Sequence, residues 1–243
     1  MRWFRKFGEL REREMLFKAV AHPFIRVSLL VVLCGGPFSP NVMAQDMLDL
    51  KVPKYEVRDV TIEEALRVLR GWGIQICLEK APQHGEREDV RFSINLRDST
   101  VREILNALVS ADRRYAWERY QRYPGVPTSS TNLVNVFPLK AKEDPSNLMN
   151  IRTKKAVIRG FYAPEYVIPY IHYFIPELAS KLHPGGAAMS MIVGGIGGRM
   201  KLQMNFEFED MTVREILNEI ALRTGGRGWI YEAEPTPRWR VFE

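Results

Sequence analysis

Cysteine and histidine are scarce in this chain, with two Cys and four His among 243 residues. So few thiols exclude a disulfide-stapled scaffold. No pair of His, or of His with Cys, stands at the spacing of a zinc site. The chain has no His-Glu-x-x-His pair, no Gly-x-Ser-x-Gly elbow and no Walker loop. Long apolar runs are missing as well. The stretch 27–33 is closed by Arg26 on one side and by Gly35, Gly36 and Pro37 on the other, well short of the roughly 18 residues a spanning helix requires.

Residues 1–44 read instead as an export signal. Arg11, Arg13, Lys18 and Arg26 form the basic approach, 27–33 the apolar stretch, and Val42, Met43 and Ala44 the small-residue cleavage site. Met15 gives an alternative start with a leader of more ordinary length. Cys34 lacks the small neighbour of a lipid-attachment site. The expected location is therefore periplasmic or secreted, including association with the outer membrane, with no transmembrane segment after cleavage. Residues 45–243 hold 28 Lys and Arg against 26 Asp and Glu, a net of +2, whereas the whole chain carries +6. The basic excess belongs mostly to the leader, so charge gives no argument for a nucleic-acid partner. Only Cys77 remains beyond the leader, within the apolar run 74–78, and it reads as a small buried strand residue.

What the chain does contain is one phrase written three times. It runs from Asp59 to Leu66, from Asp98 to Leu105 and from Asp210 to Leu217, each with Thr three residues before Glu. That spacing is a capping box, in which Thr accepts from an early helix N–H while Glu reaches back to the Thr amide. Each phrase therefore starts a helix, and each follows an alternating, strand-like segment: 55–60, 90–96 and 202–208. The first two phrases lie in one run with the order β-α-β-β-α-β-β. Its elements are a strand at 55–60, a helix at 62–72, a strand at 74–78, a polar loop at 81–89, a strand at 90–96, a second helix, and a hairpin of 114–120 with 132–137. Ile62, Ala65, Leu66 and Leu69, and then Val101, Ile104, Leu105, Leu108 and Val109, give each helix one apolar face.

The third phrase lies 112 residues after the second, and the same offset superposes Trp117 on Trp229. The C-terminal part thus repeats the second half of the module, and 151–193 supplies a divergent first half: a strand at 151–159, a helix at 164–182 that Pro169 and Pro176 kink or split, and a strand at 187–193. The expected fold class is α+β, two related small β-α-β-β-α-β-β modules, each with two helices packed on small mixed sheets. The divisions are a signal peptide at 1–44, a lead-in at 45–53, module 1 at 54–138, a linker at 139–150 and module 2 at 151–243.

Residues 54–137 resemble the short N-terminal domain of secretins and TonB-dependent receptors, the STN domain. The resemblance is carried by the strand 55–60, the phrase at Asp59–Leu66, the Gly73-Ile74 lead into a strand, and the strand 90–96 with the phrase at Asp98–Leu105. It implies a periplasmic, non-enzymatic module that makes protein contacts in secretion channels or transmits signals from outer-membrane receptors. Proteins of that family carry a membrane β-barrel beyond the module. Here a second module-like segment follows, with no string of amphipathic spanning strands. The resemblance thus implies a free-standing adaptor or assembly component whose partner is a secretin, an outer-membrane receptor, a periplasmic regulator or itself. It transfers no catalytic residue.

The residues themselves name one candidate partner-binding segment. Tyr162, Tyr166, Tyr170, Tyr173 and Phe174 fall within 161–174, followed by Met189, Met191 and Met200. One reading makes them core that covers a sheet; the other makes them a contact surface, since Tyr, Phe and Met concentrate at interface centres. Edge strands at 55–60 and 238–242 are a second contact candidate. His172, among Tyr170, Tyr173 and Phe174, reads as packing or interface histidine. Gly194–Gly198 precedes a strand instead of opening a helix, and reads as a hairpin connection. No metal, cofactor or catalytic residue is expected. The alternatives are a structural homo-oligomer, or a glycan-binding or glycan-cleaving envelope protein using Glu165 or Glu177.

Overall fold

The computed structural model describes residues 46–82, 89–121, 132–162, 167–185, 202–225 and 227–243, all within one compact unit, Val42–Glu243. The leader, the strand expected at 187–193, Gly194–Gly198, His84, Glu165 and Tyr166 lie outside the described residues. The fold class is mixed α+β. In chain order the strands are β1 (Lys51–Val60), β2 (Gln75–Glu79), β3 (Phe92–Thr100), β4 (Tyr115–Arg119), β5 (Leu133–Pro138), β6 (Arg152–Tyr162), β7 (Leu202–Thr212), β8 (Trp229–Glu232) and β9 (Arg238–Val241). The helices are α1 (Ile62–Arg70), α2 (Val101–Ala111), α3 (Pro176–Leu182) and α4 (Val213–Arg223).

All three phrases fold as their sequence predicts. Thr61, Thr100 and Thr212 are N-caps, and each makes the full capping box with Glu64, Glu103 or Glu215. Asp59, Asp98 and Asp210 adopt φ of 49°, 50° and 51°, the left-handed region that Asp tolerates better than most residues. The β1–β3 register shifts around Asp59, and the ladders pair residues on either side of Asp98 and Asp210 but not those two. The Asp is thus the kink that turns the chain from strand into cap.

Strands β1 and β3 are longer than their alternation suggests, because Lys51, Val52 and Lys54 pair with Thr100, Ser99 and Arg97. Pro53 is compatible with β1 because the strand has a neighbour on one side only among the described residues. Residues 46–50 and 147–151 also correspond. Asp46 and Asn147 each cap a one-turn 3-10 helix, Met47–Asp49 and Leu148–Asn150. Leu50 and Ile151 then accept from Val101 and Val213 at 3.1 and 3.0 Å. The segment 139–150, read from sequence as a connection, places Leu148 and Met149 in the core.

Five strands form one sheet, in the order β4-β5-β2-β8-β9. It takes strands from both repeats: β2 runs parallel to β5 on one side and to β8 on the other. Period-two alternation then separates two cores. Ile76, Leu78, Val134, Val136, Ile230 and Phe242 join Leu66, Leu69, Ile104 and Leu105 of α1 and α2. On the opposite face Cys77, Leu133, Trp229, Tyr231, Trp239 and Val241 join Ile216, Leu217 and Ile220 of α4. Ribbons β1–β3 and β6–β7 add Tyr55 and Val57 to the first core and Ile158 and Phe208 to the second. Each fully buried side chain of this size contributes about 1.5–3 kcal/mol.

Two polar junctions fix where the repeats meet. Glu79, at the end of β2, is 2 % exposed. It receives Nε and Nη2 of Arg214 from α4, the latter at 3.1 Å, and Nδ2 of Asn147 at 3.1 Å. On the other face Lys80 lies 3.4 Å from Glu232 and 3.6 Å from Glu63, and Arg240 lies 2.7 Å from Glu63. Close backbone approach completes the junction, since a Cβ on Gly228 would stand 1.6 Å from the Ile76 carbonyl oxygen.

Arg214→Ala leaves the Glu79 carboxylate buried without its cation and should cost about 3–5 kcal/mol in urea denaturation, while Glu79→Leu with Arg214→Leu should regain most of that loss. Gly228→Ala should lower stability by more than the few tenths of a kcal/mol of an ordinary surface change, because backbone cannot yield as a side-chain tip can. Unchanged melting of Gly228→Ala would show that β8 can part from β2 without loss.

Candidate functional site

The aromatic segment is held by aliphatic anchors. Val167, Ile168, Ile171, Ile175 and Leu178 are all at most 1 % exposed and belong to the second core. The proline-broken sequence does split: a 3-10 turn covers Ile171–Tyr173, and α3 begins with Pro176 in its first turn, where the missing N–H costs nothing. This short, bent path lets neighbouring residues point in different directions.

The named aromatics consequently divide. Tyr170 is 46 % exposed, and its ring stacks on Tyr173 with centroids 5.8 Å apart and an interplanar angle of 18°. Tyr173 and His172 are half-buried, with ring centroids 4.1 Å apart. Phe174 packs against the second core. The backbone of Tyr162 ends β6 opposite Leu202, and Tyr166 lies outside the described residues. The structure thus brings Tyr170 and Tyr173 together at the surface and turns Phe174 inward.

Residues outside the aromatic segment extend this array. His172 lies 5.9 Å from the His183 ring and 6.2 Å from Trp239, and Trp239 stacks on Tyr231 at 5.2 Å. Trp239 also donates its indole N–H to Met149 Sδ at 3.3 Å. Burial, and then the nearby His183, lower the His172 pKa, so its ring stays neutral at neutral pH and packs as an uncharged wedge. Tyr170 and Tyr173 are therefore backed by a fixed row of rings leading into the sheet. Trp239 and Tyr231 lie about 60 residues away in sequence, and no local pattern joins them to the segment.

One pair on β4 and β8 did carry a signal. Trp117 donates to Asn106 Oδ1 at 2.9 Å, and Trp229 to Asn218 Oδ1 at 3.1 Å. Asn106 and Asn218 obey the same 112-residue offset as the two Trp. These bonds fix each strand to the helix before it.

Glu177 has a structural task. Its carboxylate accepts from Thr153 Oγ1 and from the Lys154 N–H, the latter at 3.0 Å. Burial pushes its pKa up, but these two bonds outweigh that and hold it below the ordinary glutamate range. The Cys77 thiol is pushed up by burial and stays protonated. Among the described residues, no three His, Cys, Asp or Glu side chains are placed to hold a metal ion, and no helix is long and apolar enough to cross a membrane. Comparison of the chain with protein-family models, curated proteins and solved structures returned no match.

The Glu177 anchor predicts a pH response. Because its folded pKa is depressed, its contribution is complete above the ordinary glutamate value near 4.3 and is lost as pH falls through the lower folded value. Protection of the Lys154 amide, measured against the free-peptide rate at the same pH, should fall as pH drops below the ordinary glutamate value. In Glu177→Gln, exchange should already be faster at pH 7, with the pH step at this amide abolished. An identical acid profile in both proteins would assign that step to another carboxylate.

Proposed function

We propose that this chain is a non-enzymatic, exported cell-envelope protein-interaction module, an adaptor or assembly component of a secretin- or TonB-receptor-type system. The observation that carries the reading is the stack of exposed Tyr170 on half-buried Tyr173, seated on buried aliphatic residues. A preordered aromatic pair loses little conformational entropy when a partner covers it, and such rings dominate the energetic centres of protein interfaces. The STN-like order of strands and capped helices supports the envelope setting, and the signal-like residues 1–44 support export. Protein contact on the Tyr170 face is the mechanism, and the partner is an envelope protein or a second copy of this chain.

The test is photocrosslinking in cells from position 170, followed by mass spectrometry of the captured species. A secretin or receptor fragment is the expected product, and self-crosslinks alone would assign a homo-oligomer. Tyr170→Ala with Tyr173→Ala should abolish capture while changing stability by no more than about 1 kcal/mol. General unfolding of that double variant would return both rings to a core role, and absence of any capture would turn attention to glycan binding.

A further inference from the structure

The two repeats treat the outer edge of their first strand differently. In β6 the Lys154 N–H, three residues past Ile151, points away from β7 and is taken by Glu177 of α3. The corresponding residue of β1, three past Leu50, is Pro53, which has no N–H to offer. Lys154 is exposed, and in a strand of L-residues those whose side chains share one face carry their N–H and C=O groups to the same side. In β1 the outward groups are therefore those of Lys54 and Glu56, whereas buried Tyr55 and Val57 turn theirs toward β3. Among the described residues β1 is paired on the β3 side only. Pro53 closes the open edge at one end, and the register shift before Val60, with Asp59 at positive φ, closes it at the other.

A surface depression of about 450 Å³ is lined by Lys54, Glu56, Arg58 and Val68. Tyr55 and Val57 are buried in the core under α1, so Lys54, Glu56 and Arg58 stand on the opposite face of the ribbon. Val68 belongs to α1. A depression that touches both must run along the open edge of β1. Its helical wall is the apolar side chain of Val68, which is 45 % exposed. Its strand wall is cationic, because the single carboxylate of Glu56 pairs with both Lys54 and Arg58, leaving one positive charge in excess.

We propose that this edge accepts a short extended segment of a partner protein as an added strand. The segment places apolar side chains against Val68 and carboxylates against Lys54 and Arg58. Backbone pairing with Lys54 and Glu56 supplies the ladder, and alternating apolar and acidic side chains supply the selectivity. The proposal rests on the reading of the chain as a protein-binding module, but on a surface separate from the Tyr170 face.

The probe is an end-blocked pentapeptide, Val-Glu-Val-Asp-Val, added to the full chain and followed by amide exchange and fluorescence anisotropy. New protection at Lys54 and Glu56, with a Kd in the micromolar to millimolar range, is the expected result. Lys54→Glu with Arg58→Glu should weaken binding about tenfold and favour a Val-Lys-Val-Lys-Val probe instead. Val68→Asp, on an exposed helix wall, should weaken binding without changing the melting temperature. Protection at other amides, no protection at millimolar probe, or unchanged affinity in both variants would each overturn the proposal. Capture from position 170 is read separately, so loss of one result leaves the other standing.

Discussion

The placement of Glu79 against Arg214 is the constraint on which the rest of the architecture depends. Glu79 ends β2 in the first repeat, and Arg214 opens α4 in the second. A bidentate guanidinium–carboxylate pair allows little angular freedom, and burial raises the cost of separating it. With this pair in place, β8 must lie beside β2, and Gly228 permits the close backbone approach that follows. The C-terminal hairpin then delivers Ile230 and Phe242 into the core beneath α1 and α2. The end of the chain thereby completes the packing of its beginning.

Corresponding positions in the two repeats have acquired different work because only one of them meets the other repeat. Arg102 and Arg214 stand at the same place in their phrases. Arg102 is exposed and pairs with Asp49 at 3.3 Å, whereas Arg214 is 7 % exposed and takes Glu79. Asp46 and Asn147 cap the same 3-10 turn. Asp46 is drawn to Arg119, whose hydrogen bond holds its carboxyl below the usual range, while the neutral amide of Asn147 bonds both Glu79 and the Ala141 carbonyl. An amide suits the buried junction because a second carboxylate beside Glu79 would repel it. The edges of β1 and β6 differ in the same manner, Pro53 blunting one and Glu177 covering the other.

Function, on this account, belongs to surfaces left over from the scaffold. The capping boxes, the left-handed Asp residues and the Trp–Asn bonds are all consumed in holding helices to strands. What remains outside is a stacked Tyr pair on an aliphatic base and an open strand edge beside an apolar helix wall. Both suit recognition of protein by shape, aromatic area and backbone pairing.

By itself the sequence determined whatever rests on neighbours a few residues apart. Thr and Glu three positions apart specified three helix starts, the apolar stripes specified which face each helix buries, and alternation specified the strands. The prolines specified that 164–182 would not be one helix. Asp stands two residues before Thr in every copy, but its left-handed backbone and its role at the join of strand and cap are seen only in the structure. Within the aromatic segment, the pattern alone left core and surface open, and the aliphatic residues between the rings decided it by taking the buried positions. Only the tertiary structure decided that the two repeats share one sheet, that Glu79 meets Arg214 across 135 residues, and that Trp239 backs His172. Those pairings have no periodicity to announce them. They arise because each repeat leaves one apolar sheet edge and one charged group that only the other repeat can cover.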